Sequence, residues 1–185
     1  MASDTHSKQP TGITITAAGR GSPQSTLKGA YAICYAVTTH YEDGSTATTM
    51  TSAPLAGAHP GPEPHAIAVA EALLEVFDAG LQGLPVEVLS TSRVVCDLPP
   101  WGTWKPTPET TIGFLEAAHS LREVAAQFPK LRFELAEGGH EDRRLYGVLA
   151  EAMAQAAVWA EERLAAIGGT GLMPAHGVGP SARRG

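Results

Sequence analysis

Cysteine, charge and basic residues are all scarce in this chain, and each scarcity excludes something. There are two cysteines, Cys34 and Cys96, in 185 residues. A disulfide scaffold needs more cysteines in a shorter chain, and no zinc-type Cys/His spacing is present. Both cysteines sit in apolar segments and read as small reduced core residues. Charged residues make up only 17%, too few for a coiled coil or a solvated tail. Lys and Arg number 13 against 19 Asp and Glu, a net charge of −6. That balance excludes coating nucleic acid through charge alone, because phosphate contacts need cations. The basic residues are scattered, with short clusters at Arg143-Arg144 and Arg183-Arg184. No run approaches the ~18 apolar residues of a membrane span, and the polar start MASDTHSKQPTG has no apolar signal core. The expected location is cytoplasmic.

What is present suits one domain. Hydrophobic residues are 43% of the chain, enough for a core, and the length falls within the ~100–200 residues of a typical domain. Residues 1–11 are expected to be a disordered lead, 12–167 the folded domain, and 168–185 a loose Gly/Pro-rich tail. Ile13, Ile15 and Ala17 alternate with threonines, a strand pattern. Gly21-Ser22-Pro23 marks a turn, 29–38 a second strand, Asp43-Gly44 a hairpin and 45–51 its return. After a Pro/Gly/Ala-rich loop at 52–64, Ile67, Ala70, Leu74, Phe77 and Leu81 repeat at helical spacing. Val86, Val88 and Leu89 form a buried strand, and 92–98 a short helix stopped by Pro99-Pro100. Thr107-Pro108 is the expected start of a helix through Leu115, Ala118, Leu121, Ala125 and Phe128. Residues 131–135 alternate as a strand, and Asp142 is the expected cap of a last helix carrying Leu145, Leu149, Ala152, Ala156, Trp159 and Arg163. The order β-β-β-α-β-α-α-β-α predicts an α/β fold: a five-stranded mixed sheet with helices packed on it.

That order, with several short signals, resembles ribonuclease H. Thr16-Ala17-Ala18-Gly19 stands where the family's first strand ends in a Thr-Asp-Gly-type turn. Gly21-Ser22-Pro23 and Gly29-Ala30-Tyr31-Ala32 are similar to its Gly-Asn-Pro-Gly turn and second strand. Leu89-Ser90-Thr91-Ser92-Arg93-Val94-Val95 resembles its fourth-strand end, Gly102-Thr103-Trp104-Lys105 its Trp-Lys segment, and Phe133-Glu134-Leu135 with Gly139-His140 its last strand and Gly-His loop. The resemblance spans about residues 12–160 and is of the ribonuclease HI type. It implies hydrolysis of RNA in RNA–DNA hybrids with two Mg²⁺ ions held by four converging carboxylates.

By the same resemblance the four carboxylate places fall on Ala18, Ala66, Thr91 and Gly147. Alanine and glycine offer no donor atom and threonine only a neutral hydroxyl, so this set holds no pair of Mg²⁺ ions. Glu63, Glu71, Asp97 and Asp142 are the nearest substitutes in sequence, though Glu71 lies more than a helical turn from Ala66. Natural loss and deliberate inactivating substitution both produce such gaps; Thr91 and Gly147 are unusual choices for the second, which favours the first.

The candidate binding residues are Arg20, Arg93, Trp101, Trp104, Lys105, His140, Arg143 and Arg144. The tryptophans either cap the core edge or stack on a base or a partner. His140 is either an exposed loop residue or, by the resemblance, an aid to product departure. Glu137, Glu141 and Asp142 around it match no EF-hand spacing. Arg143-Arg144 opens the last helix, against its dipole, as a solvated end or an anion contact. Ser90, Thr91 and Ser92 suit capping better than nucleophilic attack. The Gly21 turn lacks the ending of a phosphate loop.

Three functions are compatible with these residues. The preferred one is a catalytically degenerate ribonuclease H-like module that binds a protein partner, or RNA–DNA or structured nucleic acid, and needs no cofactor. The second is an active Mg²⁺-dependent nuclease with displaced ligands, or an inactivated form of one. The third is an unrelated function on the same fold.

Overall fold

Alternation of aliphatic residues with threonine puts Ile13, Ile15 and Ala17 on one face of strand β1 (Pro10–Gly21), where all three are buried. The next strand, β2 (Tyr31–Tyr41), pairs antiparallel with β1 and is buried on both faces. Ile33, Tyr35 and Val37 share the β1 aliphatic face, whereas Ala32, Cys34 and Ala36 point the other way. Asp43-Gly44 turns the hairpin, with Gly44 at φ 76° and the Asp43 carboxylate accepting from the Ser45 backbone and hydroxyl. Those bonds, with Lys8, hold the Asp43 carboxyl well below the usual range. Strand β3 (Thr46–Leu55) returns along β2. The computed structural model describes residues 8–21, 30–56, 59, 61–136 and 143–169.

Helix α1 (Glu63–Asp78) crosses to β4 (Val86–Ser90), which runs parallel to β1. A four-residue helix α2 (Arg93–Cys96), then α3 (Ile112–Ala125), lead to β5 (Leu131–Leu135), parallel to β4. Helix α4 (Arg143–Gly169) closes the described chain. The sheet order is β3-β2-β1-β4-β5. The predicted five-stranded mixed sheet is therefore what forms.

The two sheet faces are packed differently. On one, Val69, Leu73 and Val76 of α1, Leu121 of α3 and Phe128 just after it share a buried cluster with the aliphatic side chains of β1, β2 and β4. Fully burying a side chain such as Leu73 is worth about 1.5–3 kcal/mol. On the other, α4 sets Leu145, Leu149 and Ala152 on Ala18, Ala32, Cys34 and Ala36. Small residues there let a helix lie close to the sheet. Burial in that layer pushes the Cys34 thiol up to about 11.

Several boundaries differ from the sequence expectation. The strand β1 begins at Pro10, and Lys8 already pairs with Asp43. The third strand runs on to Leu55, because Ala53, Pro54 and Leu55 find partners in Ile33, Ala32 and Tyr31. An edge strand tolerates Pro54. Helix α3 starts at Thr111, not Thr107: the Thr111 hydroxyl accepts from the Phe114 N–H at 3.2 Å, while Thr107 and Thr110 bond each other in a turn. The apolar stripe read on α1 is partly displaced: Ala70 joins the core and Ile67 and Leu81 pack against it, but Leu74 and Phe77 do not. Its core side is Ala66, Val69, Leu73 and Val76, and Leu74 and Phe77 stay 41% and 38% exposed. Leu115 and Trp159 are likewise exposed. The Ser22-Pro23 turn, the Asp142 cap and residues 170–185 lie outside the described residues.

The end of β1 meets the start of α1 backbone to backbone. A Cβ at Gly19 would stand 2.2 Å from the Pro64 carbonyl carbon and 2.4 Å from the His65 nitrogen. The Gly19 N–H donates to His65 Nδ1 at 3.3 Å, and desolvation lowers the His65 pKa from its ordinary value. Two outcomes follow. Gly19→Ala is expected to cost about 3 kcal/mol in urea unfolding, because backbone cannot retreat. Gly147→Ala, where an added Cβ meets nothing within 4 Å, should instead gain about 0.5–1 kcal/mol of helix propensity. For His65, the unfolded chain takes up its proton more readily than the folded one. Its stabilising effect is thus full above the unfolded value of about 6.5 and is lost as pH falls from there toward the lower folded value. Melting temperature should decline over that window, and the decline should flatten in His65→Asn, whose Oδ1 accepts the same N–H without titrating.

Candidate functional site

The parallel strands β1 and β4 end side by side, with Ala17 opposite Ser90. In open α/β sheets this carboxyl end is where ligands bind. A small pocket sits there. It is lined by Thr16, Ala17 and Ala18 from β1, by Leu89 and Thr91 around the end of β4, by Ala136 after β5, and by Leu145 and Tyr146 from the first turn of α4. The local sequence explains the shape. Ser90 is fully buried, and its hydroxyl accepts the Ser92 N–H at 3.2 Å. The Ser92 hydroxyl in turn accepts the Val95 N–H and caps α2. Both hydroxyls are thereby engaged with backbone, so the chain turns away from β4 and leaves Thr91 at the surface.

The four places assigned by resemblance to metal ligands lie around this end. Ala18 is buried under α4, and Thr91 is exposed beside it. Gly147 is exposed one residue beyond Tyr146. Ala66 is fully buried on α1, just after the Pro64–His65 segment that touches Gly19. The side chains present do not suit divalent metal: the pocket wall is methyl groups, an aromatic ring and hydroxyls, with no carboxylate among its described lining. Among the described residues, no three His, Cys, Asp or Glu side chains stand close enough to share a metal ion.

The nearby carboxylates are placed for other tasks. Glu63 is buried at the start of α1 and pairs with His59 Nδ1 at 2.6 Å; the other ring nitrogen of His59 donates to the Ala56 carbonyl at 3.0 Å. A Cβ at Gly113 would stand 2.6 Å from Glu63 Oε1, so the first turn of α3 rests directly on this carboxylate. Negative charge at a helix N-terminus is favourable. Glu71 is exposed on α1, and Asp97 caps α2 through its backbone. Asp142 lies outside the described residues.

The candidate binding residues divide into two groups. Arg20, Arg93 and Arg144 are exposed and come from the end of β1, the start of α2 and the start of α4. These three segments are far apart in sequence and adjoin the pocket end of the sheet. Trp104 belongs to the core edge: its ring packs edge-on against Phe114 at 5.3 Å. The Arg122 guanidinium lies over that ring at 5.6 Å and donates to the carbonyls of Leu98 and Trp104. Lys105 beside it is exposed. Trp101 is 55% exposed, its ring meeting Phe133 edge-on at 6.4 Å. His140 and the Arg143 side chain lie outside the described residues. Sequence reasoning missed Tyr146, His59 and His65. His65 meets Gly19 and Tyr146 meets the ends of β1 and β4, contacts that local sequence does not mark, whereas His59 stands four residues before its partner Glu63, a spacing the sequence did offer.

No family model matches this chain. No curated protein matches it either. Solved structures do. RNase H1 of the halophilic archaeon Halobacterium salinarum NRC-1 superposes with TM-score 0.58 at 14% identity, over 78% of this chain and 98% of that one. The N-terminal RNase H domain of rv2228c from Mycobacterium tuberculosis gives 0.58 at 18%, over 81% and 99%. LC11-RNase H1, solved in complex with an RNA/DNA hybrid, gives 0.57 at 24%, over 78% and 98%. With the sheet order and helix placement above, these likenesses make the fold of this chain ribonuclease H-like.

Proposed function

We propose that this protein is a catalytically degenerate ribonuclease H-like module that works by binding. The observation that carries this reading is the donor set where the fold would gather its metals: Ala18, Ala66, Thr91 and Gly147. Two-metal phosphodiester hydrolysis needs oxygen ligands with full negative charge, arranged within about 4 Å of a shared ion pair. Methyl groups and one hydroxyl supply neither charge nor ligand number. Exposed arginines, Arg20 at the end of β1, Arg93 at the start of α2 and Arg144 at the start of α4, stand on the segments that adjoin this end of the sheet and supply positive charge there. RNA/DNA hybrids are bound by two of the similar structures, LC11-RNase H1 and the foamy viral protease-reverse transcriptase. A hybrid or structured nucleic acid is therefore one ligand class for this end. The net charge of −6 opposes a long phosphate track and favours a protein partner as the principal one.

The test is Mg²⁺- and Mn²⁺-dependent cleavage of a labelled RNA–DNA hybrid. The chain as it stands is expected to be inert, and the same chain carrying Ala18→Asp, Ala66→Glu, Thr91→Asp and Gly147→Asp is expected to cut. The exposed positions 91 and 147 accept aspartate readily. The buried positions 18 and 66 each place a charge in a dry site at a cost of several kcal/mol, so circular dichroism must show the fold retained. Cleavage by the unaltered chain would sink the reading and move the search to displaced carboxylates.

A further inference from the structure

Helix α1 is apolar on more sides than its packing on the sheet uses. Val69, Leu73 and Val76 go into the core. A second stripe, Ala70, Leu74 and Phe77 at spacings of four and three, turns sideways toward α3. There it forms one wall of an open groove whose other wall includes Val124, Glu123 and Gln127. Leu74 and Phe77 keep 41% and 38% of their surface exposed along it. A helix with a second apolar stripe calls for a second neighbour, and neighbouring exposed apolar side chains mark contact sites.

Charge tells what kind of neighbour. On α1 and α3 the exposed or half-buried carboxylates are Glu71, Glu75, Asp78, Glu116 and Glu123. Neither helix carries a lysine, and Arg122 is committed to the Leu98 and Trp104 carbonyls and the Trp104 ring. The nearest lysine, Lys130, follows α3 in the turn before β5. Of the carboxylates, Glu123 lines the groove and pairs with His119, Glu71 and Asp78 flank Leu74 at helical spacing, and Glu75 turns instead to Thr49 on β3, so the groove is an apolar floor with carboxylates along its edges. The helices flanking it have 16 and 14 residues, about 20 Å of length, enough for three to four turns of a third helix.

We propose that the α1–α3 groove docks an amphipathic helix of a protein partner, with its apolar stripe on Leu74 and Phe77 and lysines or arginines over the acidic rim. This narrows the partner class of the reading above. It uses a surface other than the carboxylate positions, so hybrid cleavage by the unaltered chain would leave it standing.

The test measures fluorescence anisotropy of a labelled synthetic helix of about 18 residues, with leucines at helical spacing and lysines flanking them. A second peptide carries glutamate in place of lysine. The full chain is expected to bind the lysine peptide. Leu74→Ser and Phe77→Ser, both at exposed positions, should each weaken it about tenfold, or about 1.4 kcal/mol. Glu71→Gln with Glu123→Gln should weaken it further and reduce its salt dependence. Unchanged binding by Phe77→Ser overturns the proposal, as does equal binding of the glutamate peptide or no binding of the lysine peptide up to about 1 mM. Light scattering supplies the remaining arm. A dimer that Phe77→Ser dissolves would make a second copy of this chain the occupant and would overturn the partner-helix assignment.

Discussion

The backbone of Gly19 lies directly against the Pro64–His65 peptide, and much of the architecture is arranged around that contact. It joins the last residues of the central strand to the first turn of α1. With β1 held there, Leu73 and Val76 of the helix join Ile15 and Val88 of the sheet in one buried cluster. The buried Glu63–His59 pair then presents a carboxylate to Gly113, which locates α3 beside α1. Glycine is needed at 19 because any side chain would occupy space already filled by backbone, and at 113 a side chain would displace the Glu63 carboxylate. Glu63 thereby bridges the segment before α1 and the first turn of α3.

The same compactness accounts for the chemical character of the sheet's carboxyl end. Parallel strands and an overlying helix N-terminus bring residues from β1, β4 and α4 to one pocket. Such a convergence serves metal chemistry only when the converging groups carry charge. Here they are small and apolar, and Leu145 packs on Ala18. Arg20, Arg93 and Arg144 are exposed on the segments that adjoin this pocket. The described lining of this pocket is thus one of methyl groups, hydroxyls and an aromatic ring, with arginines on neighbouring segments.

The α1 helix shows how a periodic pattern divides between two tasks. Ile67, Ala70, Leu74 and Phe77 have the spacing of a core stripe, yet Leu74 and Phe77 stay exposed while Ala66, Val69, Leu73 and Val76 are fully buried or nearly so. Both stripes are apolar, and helical spacing alone does not rank them. Their roles are decided by where β1 touches the helix start, which sets the rotation of α1 about its axis. The offset start of α3 has a similar origin. Thr107 and Thr111 are both competent caps, and the one chosen is the one from which Phe114 reaches Trp104.

The amino-acid sequence by itself determined the order of the elements, the mixed five-stranded sheet and the Asp43-Gly44 hairpin, because alternation, helical spacing and turn residues act locally. It also determined that the ligand places assigned by resemblance hold Ala18, Ala66, Thr91 and Gly147, since residue identity needs no geometry. The tertiary structure alone decided which apolar stripe of α1 is core, that Trp104 is a core-edge residue held by Phe114 and Arg122, and that Arg20, Arg93 and Arg144 belong to one end of the molecule. It alone showed that Glu63 is spent on His59. Apart from the His59–Glu63 contact, which spans four residues, each of these depends on contacts between separate segments of the chain, such as Trp104 with Arg122. Local propensity carries no information about such contacts until the strands have paired and the helices have docked.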